Sequence, residues 1–277
     1  MSIPAKKALI IVIYLLIFSL IGFLIYLRYK PKPNCFDNVK NQNEENVDCG
    51  GVCAKQCPLV ASADIRVDEA GYVESGTNGM YDLYAVITNP NNLFGSSKFD
   101  YKFDIKNSAG MVIASKTGTS FILPGESKYV IENNIGANEI PGSVDCSVSN
   151  PVWVEFNSDY LQKPELKVVD KEYNAITSGV GFSEAKGLVK NESPFDFTEI
   201  KVEIILKDID GRVVALNSTQ MGAVRSGENR DFRVFWPNRF SGNVGNMEVQ
   251  TEVNMFDSEA FMKRYFKTQK FQEYAPN

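Results

Sequence analysis

The chain has 277 residues, with 29 Lys or Arg against 34 Asp or Glu, and no histidine. Without an imidazole, Ser-His-Asp catalysis, Cys-His catalysis and His-based zinc chemistry are excluded. Residues 1–32 hold five of the basic groups and no acid, which leaves 24 basic and 34 acidic groups in residues 33–277, a net of −10; that field repels nucleic acid and anionic lipid headgroups, so no nucleic-acid partner is expected.

Residues Ala8 to Leu27 read ALIIVIYLLIFSLIGFLIYL, without charge or proline. At 1.5 Å rise per residue such a run matches a hydrocarbon core of roughly 30 Å. A signal peptide has a shorter apolar stretch and a small-residue cleavage site, whereas this run ends in Tyr26-Leu27-Arg28-Tyr29. The expectation is a cytoplasmic tail over 1–7 and a single transmembrane anchor over 8–28, with the membrane as the first partner. Lys6 and Lys7 before the run nearly balance Arg28, Lys30 and Lys32 after it, so charge does not set the direction.

Cysteines set it instead. Cys35, Cys49, Cys53 and Cys57 lie in a polar segment over 29–59 with no apolar periodicity. Such a segment cannot bury a core and needs staples. Disulfides suit an oxidising compartment, which places the N-terminus in the cytoplasm and the bulk of the chain outside the membrane. Four cysteines allow three pairings, and all three stay open. The oxygen donors Asp37, Asn41, Glu44 and Asp48, beside Gly50-Gly51, suit a structural calcium ion, although the spacing is not that of an EF-hand loop. A polar turn held by two disulfides, or zinc on four thiolates, are the other readings. No other cofactor is expected.

The segment Cys35-x-Asp37, Asn41-x-x-Glu44, Asp48-Cys49-Gly50-Gly51-x-Cys53, Cys57 resembles a small "DCGG" cysteine module of microbial surface and secreted proteins. The family usually has Asp-Gly after the first cysteine; here Asp37-Asn38 stands there, and Asn also tolerates positive φ. The resemblance implies an extracytoplasmic setting and no activity.

The remainder reads as one unit used twice, over 60–160 and 161–277. Asn89 aligns with Asn191, and Gly125-Glu126 with Gly227-Glu228, at the same spacing. Between these anchors, Phe99, Tyr101, Phe103 and Ile105 alternate with charges, as do Ile200, Val202, Ile204 and Leu206, apart from Ile205. Period two predicts a strand with one buried face. Each strand then meets a turn, Asn107–Gly110 or Asp208–Gly211, and a second apolar strand over Met111–Ala114 or Arg212–Leu216, a hairpin signature. Asp208-x-Asp210-Gly211 is read as a turn, because Thr219 at the twelfth position cannot complete a calcium loop. Short strands punctuated by Gly, Pro and Asn predict a mainly β protein of tandem immunoglobulin-like β-sandwiches. The pattern resembles FxLYD-type and late-embryogenesis-like β-sandwich domains over about residues 80–135 and 182–236, families that are mostly non-enzymatic.

Trp153 and Trp236 are expected in the cores and Cys146 as a buried unpaired thiol, with an intermolecular disulfide as its other reading. Ser115-Lys116 and Ser127-Lys128 cannot act as dyads, since adjacent strand residues point to opposite faces. No catalytic residue is expected. The function anticipated is a membrane-anchored binding or structural protein presenting two sandwiches to a protein or surface polymer. Phe94 and Phe195, in matching loops, are candidate binding aromatics unless their rings fold back onto the core. A carrier of lipid or another apolar ligand in a sandwich cavity is the alternative.

Overall fold

The computed structural model describes residues 3–29, 34–41, 43–55, 57, 61, 63–156, 166–258 and 261. The end of the first expected unit at 157–160 and the end of the second at 262–277 lie outside these. The chain divides into two units, 1–59 and 60–277.

In the first unit, helix α1 runs from Ile3 to Tyr29, and every side chain from Ile10 to Tyr29 is exposed. The helix is long and apolar enough to cross a bilayer, a property that anchors and signal sequences share. Residues 34–57 form a turn-rich module with the disulfides Cys35–Cys53 and Cys49–Cys57, which selects one of the three open pairings.

The described residues of the second unit hold twelve strands. β1 (Arg66–Glu74), β2 (Met80–Thr88) and β5 (Ser127–Gly136) form one antiparallel sheet in the order β1-β2-β5. It faces a sheet of β4 (Val112–Ile122), β3 (Phe94–Lys106) and β6 (Ser143–Glu155), ordered β4-β3-β6. The next six strands, β7 (Leu166–Ala175), β8 (Ser183–Asn191), β9 (Phe197–Lys207), β10 (Val213–Val224), β11 (Asn229–Trp236) and β12 (Asn246–Glu252), pair as β7-β8-β11 and β10-β9-β12. Strand for strand this is the same order. Outside α1, the described helical structure is a 3-10 turn, Met255–Asp257, and the single helical residue Phe261.

Alternation explains both cores. Phe99, Tyr101, Phe103 and Ile105 of β3 point inward against Leu83, Ala85 and Ile87 of β2. Ile200, Val202, Ile204 and Leu206 of β9 do the same in the second sandwich, against Ala185, Val189, Phe232, Val234 and Trp236. The Trp236 Nε1–H donates to the Leu216 carbonyl at 3.0 Å, and Trp153 packs half-buried on the first core. Strands β4 and β10 run well beyond the short second strands expected, because their polar Ser/Thr halves continue the pairing with β3 and β9.

Each sandwich is closed by a buried asparagine. Asn89 Nδ2 donates to the carbonyls of Phe94 and Leu123, at 2.6 and 3.0 Å, while its Oδ1 accepts from the Asn91 backbone at 3.1 Å. Asn191 Nδ2 donates to the carbonyls of Phe195, Val224 and Arg225, and its Oδ1 accepts from Ser193. Glu126 and Glu228 complete the corners, each accepting a backbone N–H three residues upstream. The hairpin turns match too: Asn107 Oδ1 accepts from Ala109 and Met111, and Asp208 Oδ1 from Asp210 and Arg212. Asp208 thus serves its own turn, with Gly110 and Gly211 supplying the positive φ.

Asn89→Ala and Asn191→Ala each strand several buried backbone groups, and each is expected to cost about 2–4 kcal/mol in urea unfolding. Ala substitution of exposed Asn246 should cost under about 0.5 kcal/mol in the same assay.

Candidate functional site

Three places carry polar or aromatic chemistry: the cysteine module, the asparagine corners, and the junction between the sandwiches.

In the module, positive φ at Asn38, Asp48, Gly50 and Gly51 lets the chain reverse tightly. A Cβ on Gly51 would sit 2.0 Å from the Asn43 carbonyl oxygen, so only glycine fits there. Of the four proposed oxygen ligands, Asp37, Glu44 and Asp48 accept from backbone N–H groups, while the Asn41 amide donates to Asp37. Asp48 accepts from the N–H groups of Asp37 and Asn38, both at 2.9 Å. Asp37 accepts from Val39 N and Asn41 Nδ2, and these contacts hold its carboxyl below the usual range, the Asn41 amide most. Glu44, buried, accepts from Asn41 N and Asp48 N at 3.1 and 3.3 Å. The cluster of Cys35, Glu44 and Cys53 offers no thiolate pair, since those cysteines are bonded to each other. The arrangement acts as a hydrogen-bonded staple around two disulfides.

At the corners, Phe94 and Phe195 are 8% and 4% exposed. Neither displays a ring to solvent, which corrects their reading as outward binding aromatics. Each follows a corner asparagine that binds its carbonyl, and that bond turns the side chain inward. Phe195 meets Phe261 edge-on at 5.5 Å. Cys146 on β6 also faces the first core, and burial pushes its thiol up to about 12, so little thiolate is present for disulfide exchange.

The junction is where charge is concentrated. The outward faces of β2 and β5 meet the outward faces of β9, β10 and β12. Tyr84, Ile131, Ile205 and Leu216 form a small apolar cluster between the two main cores. Beside it, the Gln250 side chain pairs with the edge of β5 as a strand would: Tyr129 N–H donates to Oε1 at 2.8 Å, and Nε2 donates to the Tyr129 carbonyl at 3.0 Å. The same Nε2 donates to Glu203 at 2.6 Å, and Lys201 Nζ pairs with the other Glu203 oxygen at 2.6 Å. Lys128 is buried, pairs with Glu252 at 2.6 Å and lies 3.9 Å from the Phe121 ring centre. Asn133 donates to Ser218 at 2.9 Å. Burial pushes the Glu203 carboxyl up, against the pull of Lys201. At the far end, Thr77 and Glu74 bond Asn238 and Ser241.

A cleft of about 250 Å³ opens along this junction. Tyr101, Phe121 and Phe197 line it together with Glu203, Glu252 and Lys201. Glu203 and Glu252 are engaged by Lys201, the Gln250 amide and Lys128, and the Ser115-Lys116 neighbours serve other partners: Ser115 donates to Asp104, while Lys116 pairs with Glu132. The junction residues were not foreseen as a site. One signal for them was Ile205, the apolar residue that broke the alternation of β9 on its outward face.

No protein-family model matches the chain, and no curated protein matches it. Among solved structures it is similar to red sea bream transglutaminase, at 11% identity and a TM-score of 0.22, over 71% of this chain and 31% of that one. It is also similar to two Bacteroides uniformis β-glucuronidase structures, at 12% and 13% identity and TM-scores of 0.17, over 60% and 66% of this chain. The chain spans under a third of the transglutaminase and 23% of each glucuronidase, and likeness at these TM-scores carries no argument.

Gln250→Ala leaves the Tyr129 edge groups unpaired and is expected to cost about 1–3 kcal/mol, seen in calorimetry as earlier unfolding of the 60–277 unit. Asp82, buried on β2, gives a pH signature. It accepts from Asn134 N at 2.7 Å, and burial raises its carboxyl to about 6. The folded state therefore holds the proton more tightly than the unfolded chain, so this group favours folding fully below about pH 4 and the benefit is lost as pH rises through about 6. Asp82→Asn keeps the acceptor without the charge. It should stabilise the protein by about 1–3 kcal/mol at pH 7.5, and the gain should shrink towards zero at pH 4, measured by urea unfolding across pH.

Proposed function

We propose that this protein is a membrane-anchored, extracytoplasmic binding or structural protein that presents two tandem immunoglobulin-like sandwiches as one rigid body. The observation that carries the reading is the junction. A flexible pair of modules has little use for a side-chain amide that closes one sandwich's strand edge and at the same time bonds a buried carboxylate of the other. The shared strand order and the matched asparagine corners support descent of both sandwiches from one repeated unit.

The apolar helix supports a single-pass anchor, and the two disulfides support placement of the bulk outside the cytoplasm, with the N-terminus inside. The similarity of the cysteine segment to DCGG modules of surface proteins agrees with this. Its role is a stiff spacer. Calcium on Asp37, Asn41, Glu44 and Asp48 forms no part of the reading, because backbone and amide N–H groups already engage three of the four side chains. A role without catalysis is supported by the lack of histidine and by the engagement of Ser115 with Asp104 and of Lys116 with Glu132. The carrier reading gains nothing from a cleft lined by charged groups. The partner is a protein or a surface polymer.

Protease treatment of intact cells or spheroplasts tests the orientation. Residues 60–277 should be degraded without lysis, and the helix should stay with membranes through an alkaline wash. Protection of 60–277 until the membrane is broken would reverse the topology. Rigidity is tested separately by scattering from the 60–277 unit within the full chain in nanodiscs: Gln250→Ala should broaden the distance distribution between the sandwiches, and no change would remove the rigid-body argument.

A further inference from the structure

The cysteine module is built inside out. Its interior holds two disulfides and the carboxylate of Glu44, which is 5% exposed. Its large apolar side chains among the described residues all face outward: Phe36 is 81% exposed, Val52 63%, Val39 57% and Val47 44%. A fold of about two dozen residues stapled by disulfides has no need to bury these groups for its own stability. The Cys35–Cys53 bond, with Cα atoms 5.7 Å apart, brings the chain at Phe36 close to the chain at Val52, and the Asp48 contacts with Asp37 and Asn38 bring Val47 close to Val39; apolar groups gathered on so small a body call for a cover.

Chain length says what lies within reach. Helix α1 ends in Tyr26, Arg28 and Tyr29, the residue types that settle at a membrane–water interface. From Tyr29 to Asn34 there are five peptide links, at most roughly 18 Å of chain. The headgroup layer on each side of the hydrocarbon is itself about 5–8 Å deep. The module is therefore tethered at the bilayer surface, whatever its orientation there. The exposed charges of the module, Lys40, Lys55 and Glu45, give it no strong basic face, so anionic headgroups are not what would hold it.

We infer that the cysteine module docks on the zwitterionic lipid surface through Phe36, Val39, Val47 and Val52, and forms an interfacial foot for the anchor rather than a free spacer. The inference rests on the anchor reading above. Apolar insertion into the headgroup boundary supplies the attraction, as it does for other interfacial segments. The foot would fix the direction in which the chain leaves the membrane.

The test places the photo-crosslinker benzoylphenylalanine at Phe36, at Val52, at Leu16 within the helix, or at the exposed Ile140, in the full chain in phosphatidylcholine nanodiscs. Lipid adducts are read by mass. Adducts at Phe36 and Val52 about tenfold above those at Ile140 are expected. Adducts at Leu16 but none at Phe36 or Val52 would overturn the foot and leave the anchor standing. Crosslinks from Phe36 or Val52 to residues 60–277 would also overturn it, by making the sandwiches the cover. No lipid adduct at Leu16 would remove the anchor reading and the foot with it. Both module positions are exposed, so loss of the module fold at one leaves the other to decide.

Discussion

The contact between Gln250 and Tyr129 organises the second unit. β5 is an edge strand of its sheet, and an edge strand presents unpaired N–H and C=O groups that invite another chain. Here one side-chain amide from the neighbouring sandwich takes both groups of Tyr129. Because Gln250 and Glu252 are two residues apart on β12, they share a face, and the same face delivers a carboxylate to Lys128 one residue before Tyr129. The pleat of one strand thus sets two adjacent contacts on another, and the sandwiches can dock in only one register.

Aromatic packing strengthens that constraint from below. Phe156, at the end of the first sandwich, packs with Phe256 and Phe261, at ring separations of 5.8 and 6.2 Å, and Phe121 meets Phe256 at 6.3 Å. Leu123 and Phe156 consequently belong to the core of the second sandwich. The two asparagine corners set the loops that supply these groups: Asn89 binds the Leu123 carbonyl and Asn191 the Phe195 carbonyl. Corner chemistry and docking are therefore linked, since a corner that loosens also moves side chains that fill the other sandwich.

Much of this was legible in period-two patterns and turn residues. The inward faces of β3 and β9 follow from alternation, and the hairpins from Asn107–Gly110 and Asp208–Gly211. Disulfide pairing was not legible, because three connectivities fit the spacing equally. The direction of Phe94 and Phe195 stayed open in the sequence, because a loop aromatic gives no periodic sign of it; the asparagine bond to each one's carbonyl is local, but the core that receives each ring is tertiary. The junction was half visible. Ile205 broke the pattern of charged outward residues on β9, but Lys201, Glu203, Gln250 and Glu252 carry the composition of an ordinary solvated strand face. Nothing local distinguishes a carboxylate in water from one that a second sandwich will bury.

That composition also explains why the junction is charged at all. Burying Glu203 and Lys128 costs desolvation that their ion pairs only partly offset, so an apolar face would serve stability as well or better. An apolar face has a different defect in a chain of two like sandwiches: the outward faces of both would be interchangeable and self-complementary, within one chain and between copies. Paired charges and a single amide clamp accept only the correct partner at the correct register, since any other docking leaves Lys128 buried without its counter-ion Glu252. The polar junction therefore gives up some stability for a single, specific docking of the two sandwiches.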